Sequence, residues 1–138
     1  MKVVINKCYG GFSLSHEGMV RYAKLKGLTL YPEDGDWPMI YWTVPPKDRV
    51  TELSSGAFYA LPIAERIEYN RKYSEQTLHA GSIPRNDPAL VQAVEELGDK
   101  AGGRLAKLTV VEIPDDVKWQ IEEYDGLEHI AEVHRTWS

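Results

Sequence analysis

Val117-Lys118-Trp119-Gln120-Ile121-Glu122-Glu123-Tyr124-Asp125-Gly126 is the stretch that decides the fold. Val117, Trp119 and Ile121 alternate with Lys118, Gln120 and Glu122, and a period of two puts the three apolar side chains on one face of an extended strand. Asp125-Gly126 then supplies two residues that accept positive φ, as both central positions of a type I′ turn require. The reading is an antiparallel β-hairpin with Trp119 and Ile121 on its buried face, and with Leu127 to Trp137 folding back as the second strand.

Upstream, Leu108-Thr109-Val110-Val111-Glu112-Ile113 is rich in β-branched residues and stops at Pro114, which predicts a buried strand. Asp87-Pro88 marks a helix start, with Asp87 as N-cap and proline in the first turn. Leu90, Val91, Val94, Leu97 and Ala101 recur at helical spacing until Gly102-Gly103 end the run, which predicts a helix to about residue 101 with Leu90, Val94 and Leu97 in the core. At the other end of the chain, Val3-Val4-Ile5 reads as a first strand broken by Gly10-Gly11. Ser13 or Ser15 then caps a helix through Glu17, Met19, Tyr22, Ala23 and Leu25 to Gly27. The middle is punctuated by Pro32, Gly35, Pro38, Pro45 and Pro46 and predicts one or two short strands joined by loops, followed by a helix from Pro62 to about Gln76. Together these give an α+β fold: a small mixed or antiparallel sheet with a C-terminal β-hairpin, packed against two or three helices.

The chain has 138 residues, 43% hydrophobic and 27% charged, the size and composition of one ordinary globular domain, so residues 1–138 are read as a single domain. No apolar run approaches the ~20 residues of a membrane-spanning helix. The first apolar stretch is shorter than the about 7–15 residues of a signal peptide. One cysteine, Cys8, makes no internal disulfide, and the expected location is the cytoplasm. A net charge of −5 argues against duplex nucleic acid as partner, while leaving room for a local basic pocket that takes a small anion.

The turn Tyr9-Gly10-Gly11-Phe12 has the outline of a phosphate-cradling loop but lacks the Lys-Ser/Thr of a P-loop and the third glycine of a dinucleotide fingerprint. Both a structural tight turn and a ligand contact fit it. Cys8 beside His16 could form a nucleophile and base; a packed small hydrophobe is the simpler account. His129 and His134 lie near Glu128 and Glu132, but residues five apart on a strand face opposite sides, which argues against a shared metal. Arg135 and Trp137 offer a guanidinium and a stacking ring at the chain's end; a glutamate pairing and a core lid would occupy them as well. Arg85, just before a helix N-terminus, is a weaker anion contact. No catalytic or metal motif and no cofactor signature is present, which favours binding over turnover.

The strings Asn6-Lys7-Cys8-Tyr9-Gly10-Gly11-Phe12-Ser13-Leu14-Ser15, Asp87-Pro88-Ala89-Leu90-Val91, Glu112-Ile113-Pro114-Asp115-Asp116-Val117, Glu123-Tyr124-Asp125-Gly126 and His134-Arg135-Thr136-Trp137 resemble a group of small proteins of phage and bacterial genomes. The proline-rich middle lies outside the resemblance. By analogy of context, the resemblance implies an anti-defence sponge that sequesters a nucleotide immune signal, a cyclic ADP-ribose derivative or a cyclic dinucleotide. The expected partner is a small anionic nucleotide-like ligand held by Tyr9, Gly10, Gly11, Phe12, Arg85, Arg135 and Trp137, in a homo-oligomer. Two other readings stay open: a protein–protein inhibitor or host-takeover factor using Trp37, Tyr41 and Trp42, and a small hydrolase or nuclease using His134 or His129 with Glu128 or Asp125.

Overall fold

The structure, a computed structural model, describes residues 1–32 and 40–133. The chain is α+β and divides into two compact units, one built from Met1–Gly27 and the chain from Ala80 onward, the other from Leu28–His79.

In the first unit, β1 (Lys2–Asn6) pairs antiparallel with β4 (Leu108–Glu112), Val4 opposite Val110. Val3, Val4, Ile5 and Asn6 are all buried, because β1 is bounded on both edges. On the edge away from β4, the Val4 amide donates to the Arg85 carbonyl at 2.8 Å and the Asn6 amide to the Glu128 carboxylate at 2.8 Å. Among the described residues β4 has one strand neighbour only, and Leu108 alone of its residues is buried. The fully buried strand expected there is therefore an edge strand.

α1 (His16–Lys26) begins at Ser15, whose hydroxyl accepts from the Gly18 amide, and ends at Gly27 with φ 75°. α4 (Pro88–Leu97) packs against α1, β1 and β4 and buries Leu90, Val91, Ala93 and Val94. Asp87 caps it as expected, one oxygen accepting from Ala89 and Leu90 and the other from Lys26 at 2.8 Å and the Tyr22 hydroxyl at 3.2 Å. Burial works to raise the Asp87 pKa, but the Lys26 bond and the two helix amides outweigh it and hold the carboxyl below its ordinary range. Burial, and then the Asp87 charge, push the Tyr22 phenol up to about 12.

The helix stops four residues earlier than the spacing suggests. Gly98 adopts φ 56° and ψ −126°, a conformation no α-helix contains, and a single 3₁₀ turn follows over Gly98–Lys100. Leu97, expected in the core, is half-buried; in the last turn it borders a surface groove beside Val20, Arg21 and Lys24.

β5 (Trp119–Tyr124) and β6 (Leu127–Glu132) form the expected hairpin, with Tyr124 opposite Leu127. Asp125 at φ 51° and Gly126 at φ 88° supply the type I′ turn. The hairpin meets the rest of the unit through β6, which contacts β1. Trp119 and Ile121, expected to be buried, are half-buried, since β5 is the outer strand of a two-stranded ribbon.

The second unit carries two short strands, β2 (Tyr31–Pro32) and β3 (Tyr41–Trp42), then α2 (Ser55–Ala60) and α3 (Ile63–Gln76). α3 ends at Gln76 as expected but starts at Ile63, with Pro62 as its N-cap rather than in its first turn; α2 has no clear sequence signal. Its core is aromatic: Trp42 is fully buried with Tyr73 edge-on at 5.5 Å. Among the described residues, no helix is long and apolar enough to cross a membrane.

Candidate functional site

The glycine turn begins where β1 ends, at Asn6, which is fully buried. A buried amide must satisfy two donor hydrogens and an acceptor oxygen, and Asn6 does so completely. Its Nδ2 donates to the carbonyls of Cys8 and Gly126, each at 2.7 Å. Its Oδ1 accepts from the amides of Lys107 at 2.9 Å and Cys8 at 3.2 Å. One side chain thereby ties the turn to the loop before β4 and to the hairpin tip.

That tip explains the glycines. A Cβ on Gly126 would collide with the amide nitrogens of Gly10 and Gly11, and one on Gly10 would collide with Leu105. Gly126 is thus required by the close approach of the turn and Gly10 by that of Leu105, whereas Gly11 has open space around it and is favoured by its φ of 87°. The hairpin tip, rather than an open phosphate cradle, lies against the turn.

Phe12 leaves the turn half-buried, with the Arg85 guanidinium carbon 3.6 Å from its ring centroid. Arg85 is clamped in turn: Nη1 donates to Glu128 Oε1 at 2.6 Å, Nη2 to Oε2 at 2.8 Å, and Nη1 also to the Val4 carbonyl at 3.3 Å. Glu128 is 5% exposed. Burial works to raise its pKa, but the Arg85 bonds, the Asn6 amide and the guanidinium charge together hold it below its ordinary range. A bidentate guanidinium–carboxylate pair fixes orientation as well as charge, so the guanidinium that covers the Phe12 ring is held in place. Tyr9, by contrast, is 62% exposed.

The structure thus brings Phe12 and Arg85 into contact and sets Gly10 and Gly11 against Gly126, with Tyr9 at the surface. The Arg85 guanidinium, read from sequence as a weaker anion contact, is paired internally with Glu128. Arg135, Trp137 and His134 lie outside the described residues. β6 runs away from the turn: Val133 is seven positions past Gly126, roughly 20 Å along an extended strand.

Cys8 is half-buried. On the hairpin's other face His129 meets Glu122 at 3.0 Å, both exposed; they stand directly opposite in the β5–β6 register. His129 and Glu128 therefore do not form the acid–base pair considered above, since neighbours on a strand point to opposite faces. Asp125, in the hairpin turn, is exposed. Of the aromatics weighed for a protein interface, Trp42 is buried, Tyr41 is half-buried and Trp37 lies outside the described residues.

Sequence reasoning overlooked Asn6 and Glu128 as a structural centre. An asparagine at the end of a β-branched run, just before a glycine turn, was the available signal, because its amide readily bonds nearby backbone. Glu128 carried none; in an alternating strand it reads as a solvent-facing carboxylate. No protein-family model matches this chain, and neither a curated protein nor a solved structure shows significant similarity to it.

Proposed function

We propose that this protein binds a small anionic nucleotide-like ligand without turning it over, as an anti-defence sponge of the kind its resemblance to phage proteins implies. One observation carries the reading: the Phe12 ring rests on the Arg85 guanidinium, itself clamped by Glu128, and Tyr9 of the same turn is exposed. Rings already ordered before binding lose little freedom when a base stacks on them, and each good stack is worth about 1–3 kcal/mol. With both Nη atoms of Arg85 engaged by Glu128, Arg85 positions Phe12 rather than meeting a phosphate itself. A cytoplasmic homo-oligomer belongs to the same proposal.

The test is mass spectrometry of small molecules released by heating the purified protein, followed by calorimetric titration with cyclic dinucleotides and cyclic ADP-ribose derivatives. Tyr9→Ala should weaken the ligand by about tenfold, or 1.4 kcal/mol, with an unchanged melting curve. Recovery of intact ligand supports sequestration, and release of a cleaved product supports the hydrolase reading instead. No affinity across the panel, together with an inert Tyr9→Ala, overturns the proposal. A second reading, a protein–protein inhibitor, is favoured by Ile63 and Ile67, 71% and 65% exposed and one helical turn apart on α3. Its test is capture of a defined partner that Ile67→Asp abolishes.

A further inference from the structure

The outer edge of β4 is open to a further strand, and we infer that a second copy of this chain supplies it, β4 pairing antiparallel with its counterpart about a twofold axis at Val110. Such a dimer gives the homo-oligomer of the reading above its interface; it rests on that reading for self-association and on no nucleotide.

Hydrogen-bond parity shows which groups of β4 face outward. The Val4 and Asn6 amides point away from β4, to the Arg85 carbonyl and the Glu128 carboxylate. Since Val4 stands opposite Val110 and Asn6 opposite Leu108, these are the wide pairs of the ladder, whose members do not bond to each other. The bonds between the strands fall on the alternate positions, and the pattern continues past both ends: Ile113 donates to the Met1 carbonyl and Lys7 to the Lys107 carbonyl, each at 2.8 Å. The amides and carbonyls of Leu108, Val110 and Glu112 therefore point out from the edge, where they have no hydrogen-bond partner among the described residues.

An edge of this kind is a template for pairing unless something blunts it. β1 shows the blunted form, its far edge being taken up by Glu128 and by the carbonyl and guanidinium of Arg85. β5, whose outer edge is also open, carries Glu122 and Glu123, side chains of the kind that discourage pairing. β4 has neither device. Leu108-Thr109-Val110-Val111 is uncharged, and no bulge interrupts its register with β1. Thr109, Val110 and Val111 are only half-buried, which leaves β-branched surface for another strand to cover.

The occupant follows from symmetry. Two copies of a strand that pair antiparallel about a twofold axis place one residue opposite itself, and that residue must be one whose polar groups face out. Glu112 at the axis would set two carboxylates against each other and bring Pro114, which has no amide hydrogen, opposite Val110. Leu108 at the axis would bring Ala106 opposite Val110, and the Ala106 amide is already given to the Gly103 carbonyl at 3.0 Å. Val110 at the axis leaves no outward group unused: Val110 bonds to its own counterpart and Leu108 to Glu112 on either side. No like charges meet in this register, and Thr109 lies beside Val111 on the opposite face.

The test uses the full chain without added ligand. Sedimentation equilibrium between about 1 µM and about 1 mM, the span of weak to moderate self-association, should show monomer passing to dimer. Amide exchange followed by NMR at both ends of that range should show Leu108, Val110 and Glu112 gaining protection with concentration, while Thr109 and Val111, already bonded to β1, are protected throughout. Val110→Lys sets two ammonium groups across the axis and should weaken dimerisation about tenfold or more, with a melting curve to check that it folds; should it unfold, exchange in the wild type decides alone. A monomer at every concentration, a dimer whose Leu108, Val110 and Glu112 amides exchange freely, or a folded Val110→Lys that dimerises like wild type overturns the inference. Each of these is read without nucleotide, so the ligand titration decides the sponge reading separately.

Discussion

Replacing Glu128 with alanine strips Arg85 of its counter-charge where water has little access. The two side chains are 6% and 19% exposed, with a shortest contact of 2.6 Å. Removing one partner of a buried pair costs about 3–5 kcal/mol, because the remaining charge stays desolvated and alone. The Asn6 amide would also lose its acceptor, a further cost of about 1–3 kcal/mol for a buried orphan donor. Against this, the residual exposure of Arg85 and its bond to the Val4 carbonyl let the guanidinium regain some solvation, so the lower end, about 3 kcal/mol, is expected. That is a large part of the about 5–15 kcal/mol that holds a typical domain folded.

Urea unfolding should show this as a lower midpoint at constant slope. The double variant Arg85→Met/Glu128→Leu should lose less than Glu128→Ala alone, since no charge is left stranded. The pH dependence follows in sign. The folded pKa of Glu128 lies below its ordinary value of 4.5, so its contribution is complete above about that pH and is lost as pH falls through the folded value. Wild type should therefore lose stability on acidification more steeply than Glu128→Ala. A loss under about 1 kcal/mol, or a double variant as damaged as the sum of its parts, would refute the buried-clamp account.

Gly126→Ala should lower stability by more than about 1 kcal/mol, since its φ of 88° and the collision with the Gly10 and Gly11 amides both oppose a side chain. Gly56→Ala, in α2 with open space around it, should instead gain about 0.5–1 kcal/mol, and a pair of thermal melts compares the two. Leu90→Ala, at a fully buried position, should cost about 2–5 kcal/mol. Leu97→Ala should fall below that range in the same denaturation assay, and equal losses would mean that the last turn of α4 is as tightly covered as its middle.

Much of the secondary structure is legible in local chemistry. Asp87-Pro88 announces the start of α4, Ser15 and Gly27 bound α1, and Asp125-Gly126 turns the hairpin, each because a cap or a positive φ depends on a residue and its near neighbours. Element ends that hinge on one conformational choice are less legible: nothing in the apolar spacing from Leu90 to Ala101 shows that Gly98 breaks the helix. α2 escapes because Ser55-Gly56-Ala57-Phe58-Tyr59-Ala60 is too short to display a helical period and contains a glycine that disfavours one.

For the candidate site, the sequence by itself determined which groups were available: a glycine pair after a strand, an aromatic on either side of it, and an arginine before a helix. It could not determine their use. Whether Arg85 meets an anion from solution or Glu128 depends on which strand lies along the open edge of β1, and the Asn6–Glu128 bond that sets this joins residues 122 positions apart. Likewise, Gly10 and Gly11 read as a tight turn, with ligand contact as the alternative, and nothing local shows that Gly126 lies against them. Periodicity and turn preference are short-range properties of the chain, whereas burial, ion pairing and backbone contact exist only between segments that the tertiary fold has brought together.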